Sequence, residues 1–559
     1  MRIRPRLFNL IPCVIGFFRM SDNNHFDVIV IGSGISGLTC ASLFARFFGK
    51  RVLVLERHFT AGGFTHSFRR DNRYEWDVGV HYVGEMDPAS HYRVLFDAIT
   101  DGVVKWQSMP EVYDRFVYPD FTFNVRSGMR RFREDLIRKF PEEREAIERY
   151  FRDLIATARW YGRLMLARLL PSQLQSLSRL FTAVGRSLGM MTTKDYLERN
   201  FVSPQLKAVL VSQWGNAGLP PAKSAFAVHA VIACHYFDGG YYPVGGAKTI
   251  AESIVPIIES SAGRLLTRRR VSRILLEKGR AVGVEAVTRA RGQEIVERYT
   301  ADKVVSSVGA YITYDQLVPK EFSLSFRPAV REFPQGTFHI CVYLGLRESP
   351  EKLGFRGENC WIYGDYDHDA MFSQRGSVTD GKINGCFLSF PSLKNPATAG
   401  HTAELITFVD AESFKKWGTQ PWGHRGDDYD AMKQRVADAL VEFVDERFPG
   451  FAQLVDFCEV STPLSTANFT GHREGCIYGL PGTPEKLAAP WLGTRTPIKN
   501  LFLTGSDTAG HGIVGALMGG VLTTLVASRN PLPVLRLLLK AHLRVRHPEK
   551  RDVVAEMNV

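Results

Sequence analysis

The chain of 559 residues has no Cys-x-x-Cys pair, and its eight cysteines stand singly at 13, 40, 234, 341, 360, 386, 458 and 476. That scatter argues against a zinc site or a disulfide framework, so the thiols are expected to be reduced and structural. Nowhere do about 18 apolar residues run without a charge, which excludes an integral membrane bundle. Internal repeats and low-complexity tracts are lacking, and so are a Ser-His-Asp arrangement, a metal-ligand cluster and a candidate lysine nucleophile; no metal is expected. What remains is a length too great for one core, with 45% apolar and 23% charged residues, the profile of a two-domain globular enzyme.

The net charge of +12 is unevenly placed. Segments 1–20, 154–194 and 530–548 together carry fourteen Arg and Lys without one acid, more than the whole net charge. Each is also apolar, with Trp160, Leu164, Met165, Leu169 and Leu170 in the second and Leu535, Leu537, Leu538, Leu539 and Leu543 in the third. Basic residues interleaved with Leu and Trp suit an anionic lipid surface better than nucleic acid. Solvated helices packed on the body are the competing reading. The first twenty residues join a basic head to an apolar run over 7–18, too short to span a bilayer and without a small-residue cleavage site. They read as an interfacial anchor, a poor signal sequence, or an upstream extension with Met20 as the start.

The most informative stretch is 26–56, FDVIVIGSGISGLTCASLFARFFGKRVLVLE. A β-branched strand, a Gly32-x-Gly34-x-x-Gly37 turn, a helix, a second strand and Glu56 arrive in the order of a dinucleotide-binding βαβ unit. Ile35 and Ser36 stand in the turn where helix N–H groups meet a pyrophosphate, and Glu56, followed by Arg57, closes the second strand where a carboxylate accepts ribose hydroxyls. No second turn of this kind follows. One dinucleotide must therefore carry the redox chemistry itself, which favours FAD over NAD.

Two further signals agree. Gly62 and Gly63 let the backbone pass close to a cofactor soon after the ribose carboxylate. Near the far end, a strand over 501–504 delivers Gly505 and Asp507, and a glycine-rich corner opens a helix over 513–528. Asp507 is a candidate ligand for a ribityl or phosphate-bridging hydroxyl. The helix start around Gly512 and Val514 aims its positive end at the flavin N1 and C2 oxygen. Between these, 113–129 reads as strands around turns, 131–201 as helix broken at Pro171 and at 185–189, and 249–260 as helix. Strands are expected over 271–276, 282–287 and from 301, with strands and two helices over 338–457.

The motifs GSGISGLTCA, VLERH-x-x-AGGFTHSF, DVGVHYVGE, GGYYPVGGAKT and FLTGSDTAGHGIVGAL together resemble the phytoene desaturase-related flavoproteins, nearest the pattern of retinol saturases and carotenoid isomerases, over most of 26–530. The resemblance implies an α/β fold, a glutathione-reductase-like (Rossmann-type) FAD-binding domain with an inserted α+β substrate domain and a long apolar tunnel. It implies redox or isomerisation chemistry on polyenes, often at a membrane. By position it assigns Gly32, Gly34, Gly37, Glu56, Gly62, Gly63 and Asp507 to FAD, and gives Val271 the backbone contact to adenine.

The expected division is a basic and apolar extension over 1–25 and a discontinuous FAD domain from 26–100, 240–310 and 490–530. A substrate domain is expected from 101–239 and 311–489, its helical insert 131–201 facing a membrane, then a basic tail over 531–559. The expected activity is saturation of a carbon–carbon double bond in a hydrophobic polyene. Desaturation, cis–trans isomerisation with FAD, and a prenyl-lipid carrier resembling the Rab GDP-dissociation inhibitors are the alternatives. His81, Tyr82 and His511 are the candidate acids, each also open to a structural role. An external electron donor or acceptor is required, and the location expected is cytoplasmic with peripheral membrane contact.

Overall fold

The computed structural model describes residues 24–170, 180–395, 397–398 and 400–546. The readings of the first twenty residues and the break at Pro171 lie outside the described residues. The first strand, β1 (His25–Ile31), is β-branched and buried on both faces from Val28 to Ile31, as a central parallel strand requires. It feeds α1 (Ile35–Phe48), which Gly49 ends in the left-handed conformation, and β2 (Val52–Leu55) returns parallel to it, with Val28 beside Val52 and Val30 beside Val54.

The strand β3 (Arg264–Leu266) adds beyond β2. An antiparallel pair, β4 (Arg270–Glu277) and β5 (Arg280–Ala290), leads into β6 (Gln293–Ser306), whose first half pairs with β5 and whose second half lies parallel to β1. The last strand, β7 (Leu501–Leu503), pairs with β6 on the side away from β1. Residues from both ends and the middle of the chain thus build one Rossmann-type sheet with β1 central.

The C-terminal helix α2 (Gly512–Ala527) packs against α1 through small residues. A Cβ at Gly520 would lie 2.6 Å from the Ser36 carbonyl, and Cys40 Sγ stands 3.3 Å from the Gly520 carbonyl. Only glycine allows helices this close. The tail expected over 531–559 begins as a folded helix, α3 (Leu532–Arg546): Val534, Leu537 and Ala541 are buried in the core that also holds Phe96 and Ile99. Its outer face leaves Leu532, Leu535, Leu539 and Leu543 exposed.

A second seven-stranded sheet has the order Val455–Ser461, Phe338–Leu346, His401–Val409, Gly385–Ser389, Asn359–Tyr363, Val112–Val117, Thr122–Arg126. Every pairing is antiparallel except that of Asn359–Tyr363 with Val112–Val117. Strands read from the aromatic alternation over 113–129 therefore join those from 338–457. That latter stretch holds one long helix, Asp427–Asp445, and several short ones instead of two. The helical block divides at Pro141 as well, into Met129–Lys139 and Arg144–Ala167. Trp160, Leu164 and Met165, expected to face lipid, are buried in the protein; among the described residues of that segment Leu166, Leu180, Phe181 and Val184 are the exposed large apolar ones.

A flavin cradle and a histidine-bearing cavity

The β1–α1 turn has the geometry its glycines imply. Gly32 adopts φ +91°, and a Cβ on Gly37 would meet the Gly32 carbonyl at 2.2 Å, so Gly37 sets the helix on the turn and does not face the cavity. Gly34 is the N-cap of α1, has open space where a Cβ would point, and is capped by no side chain. The first N–H groups of α1 are thus left for a ligand.

Glu56 is 7% exposed and ties three segments together. Its Oε2 accepts from the backbone N–H of Ser33 at 2.9 Å and from the Ser33 hydroxyl at 2.7 Å, while Oε1 accepts from the His58 N–H at 2.7 Å. The Ser33 hydroxyl in turn accepts from the Gly62 N–H at 3.1 Å. Gly62 and Gly63 adopt φ +118° and +58°, and a Cβ on Gly63 would stand 3.0 Å from Gly34 Cα. Ser33 escaped the sequence reading because any small residue fits between the two glycines; its role appears only when Glu56 and Gly62 close on it.

These groups line one cavity of about 1800 Å³. Gly32, Gly34, Ile35 and Ser36 stand on its wall with Glu56, Arg57, Gly62, Gly63 and Val271; Gly505 and Gly512 join them from the far end of the chain. Gly512, at φ +72°, also has open space at its Cβ position, so the N-terminus of α2 is uncovered toward the cavity. Two uncapped helix starts, a ribose-height carboxylate and glycine loops on three sides fit FAD in donor chemistry and in shape.

Asp507 departs from its expected role. Its Oδ2 accepts from the Ala310 N–H and its Oδ1 from the Leu480 N–H, both at 2.8 Å, and the residue is off the cavity wall. It fastens the loops that flank the cavity, and the neighbouring Gly505 and Ser506 are the wall. Val514 is likewise buried in the core behind it.

Beyond the cradle the wall becomes aromatic, with Trp214, Tyr343, Trp361, Phe387, Phe408 and Tyr478. Of the three candidate acids only His81 lies here. Its Nδ1 is 2.7 Å from Oε2 of Glu404, which is fully buried and whose Oε1 has no partner among the described residues. The Lys394 ammonium donates to the His81 carbonyl at 3.0 Å and to the Ser389 hydroxyl at 2.6 Å, and also to Asn359 Oδ1; burial pulls its pKa down to about 8. Tyr82 points away: its hydroxyl donates to Asp114 at 3.0 Å and receives from Asn216 at 3.1 Å, and the ring stacks on Tyr236 at 4.3 Å. His511 is half-buried behind the wall, where desolvation pushes its pKa down to about 3. Glu404 was absent from the candidates. Its signal is a lone carboxylate in the apolar strand HTAELITFV, where burial demands a partner.

Such a cradle on such a sheet defines a Rossmann-type flavoprotein with an inserted second domain. The chain belongs to the flavin containing amine oxidoreductase family, whose pattern matches residues 35–524. It is an FAD-dependent oxidoreductase. It is 31% identical to the all-trans-retinol 13,14-reductase of Danio rerio, over 92% of this chain and 88% of that one. It is 26% identical to prolycopene isomerase 2 of an Oncidium hybrid cultivar, over 90% and 84%. Among solved structures, cyclohexylamine oxidase from Brevibacterium oxydans shares the fold at TM-score 0.55 and 15% identity, covering 92% of this chain and 99% of that one. The family read from the motifs is borne out.

Replacing Glu56 tests the cradle. Removing two hydrogen bonds from a charged acceptor costs about 3 kcal/mol, so Glu56→Ala is expected to weaken FAD binding roughly a hundredfold. Equilibrium dialysis measures it, and unchanged retention would show that the ribose is held elsewhere.

Proposed function

We propose that the protein saturates a carbon–carbon double bond in a lipid-soluble polyene of retinoid or carotenoid type. The observation that carries this reading is His81, braced through Nδ1 by buried Glu404 on the aromatic stretch of the same cavity that holds the flavin cradle. Bound FAD supplies the hydride. The aromatic wall excludes water and lies along an extended apolar chain, and His81 gives the second carbon its proton from Nε2 while Glu404 keeps Nδ1 occupied and steadies the positive ring. The retinol-reducing and prolycopene-isomerising relatives support a polyene over an amine. The experiment is anaerobic: the flavin is reduced, excess reductant removed, and retinol or a carotenoid added. Reoxidation with a product that has gained two hydrogens supports saturation, an unchanged product mass points to isomerisation, and failure of every polyene and unsaturated lipid to reoxidise the flavin removes the reading.

We further propose peripheral contact with an anionic membrane through α3, where the exposed Leu532, Leu535, Leu539 and Leu543 alternate with Arg536, Lys540 and Arg544. No helix among the described residues is long and apolar enough to cross a bilayer. Flotation with liposomes is expected to recover more protein when anionic lipid is present, and equal recovery without it would sink the electrostatic part.

A further inference from the structure

Lys486, in the short helix Pro484–Ala488, is 4% exposed and has no carboxylate partner among the described residues. Its ammonium donates to the carbonyls of Leu480 at 2.9 Å and Ser506 at 3.1 Å, and lies 3.1 Å from Nε2 of His511. Asp507, the nearest acid in its field, spends one oxygen on each of two backbone amides. The other charged neighbour is a second cation, Arg168, which donates to the carbonyls of Lys486 and Leu487 at 3.1 and 2.7 Å. The charge is hydrogen-bonded but not paired. Burying it so carries a desolvation penalty that a methionine of similar length would not.

Its position says what such a charge is for. Ser506 is on the cavity wall, and His511 is the N-cap of α2, whose Gly512, Ile513 and Ala516 form the wall beside it. Lys486 therefore stands one layer behind the uncovered positive end of α2, and the two fields add at the same patch. His511 does not duplicate the charge, because burial and the ammonium keep its ring neutral at ordinary pH. A fixed positive patch stabilises whatever gains negative charge against it, and in this cavity that is a flavin ring on reduction.

We propose that Lys486 sets the reduction potential of the bound flavin, its ammonium favouring the reduced over the oxidised ring through the N-terminus of α2. This rests on FAD occupying the cradle but not on the polyene assignment. Burial draws the Lys486 pKa down to about 8, so at neutral pH the group is mostly charged. The titratable and charged groups facing it are His511, Asp507 and Arg168.

The test is a spectroelectrochemical titration of the holoprotein at pH 7, wild type against Lys486→Met, with FAD content measured on both. The expected result is a shift of at least tenfold toward the oxidised form in the variant, a midpoint at least ~30 mV lower for a two-electron couple, at unchanged FAD per chain. A variant that retains FAD with the wild-type midpoint overturns the proposal. Should Lys486→Met fail to fold or to hold FAD, the wild-type midpoint is followed from pH 7 to 9. Loss of the lysine proton is expected to make it fall more steeply than that of free FAD in the same buffers, and parallel lines overturn the proposal. No substrate enters either measurement, so a failure here is separate from a failure of any polyene to be reduced.

Discussion

His81→Gln is expected to slow polyene-driven reoxidation of the reduced flavin at least a hundredfold while leaving FAD content and polyene affinity near wild type. General acids contribute typically 10²–10⁴-fold, and an amide at this position can still hydrogen-bond to Glu404 yet cannot give up a proton at neutral pH. Single-turnover mixing under argon reads the rate. Exogenous imidazole is expected to restore part of the rate to His81→Gly, a rescue that a purely structural histidine would not show. Wild-type rates in His81→Gln would move the proton source elsewhere.

The second large effect is on stability. Three buried histidines, His229, His339 and His368, and the half-buried His511 are pushed by desolvation to about 4, 4, 4 and 3. Each has a folded pKa below the 6.5 of an unfolded chain, so unfolding takes up protons; the stability they lend is full above pH 6.5 and is lost as pH falls toward 4. Two buried carboxyls act in the opposite sense: burial raises Asp77 to about 6 and Asp114 to about 7, so folding binds their protons as pH drops below those values. Between pH 6 and 5 the balance is about two protons taken up on unfolding, or roughly 3 kcal/mol per pH unit. Against a total of roughly 5–15 kcal/mol this is a large fraction. A markedly lower Tm at pH 5 than at pH 7 is the expected result in calorimetry, and equal midpoints would mean that these histidines titrate freely.

The cradle was legible because its chemistry is local. Gly32, Gly34 and Gly37 act within one turn, and Glu56 follows at a spacing fixed by one helix and one strand. Groups that act across the chain left weaker marks. Asp507 stands in a strand–turn–helix corner that looks like a ligand site, yet its carboxylate turns inward to the amides of residues 310 and 480, contacts separated by up to 197 positions. The first half of β6, read as beginning only at residue 301, is hidden by its composition: QEIVERYT is charged because it forms an exposed hairpin with β5, where nothing selects for apolar residues. Trp160 and Met165 show the converse error. An apolar and basic composition suggested a lipid surface, but the helix buries most of its apolar side in its own protein and presents Arg149, Arg152, Arg159 and Arg163 outward, with Leu166. His81 was visible as a candidate, whereas Glu404, which makes it more than a wall residue, lies 323 positions away.

Flavin occupancy tests the account most directly. Protein purified from cells or incubated with excess FAD, then desalted, is expected to be yellow and to carry close to one FAD per chain by absorbance. A folded preparation that stays colourless under both treatments would contradict the cradle, the function and the electrostatic role of Lys486 together.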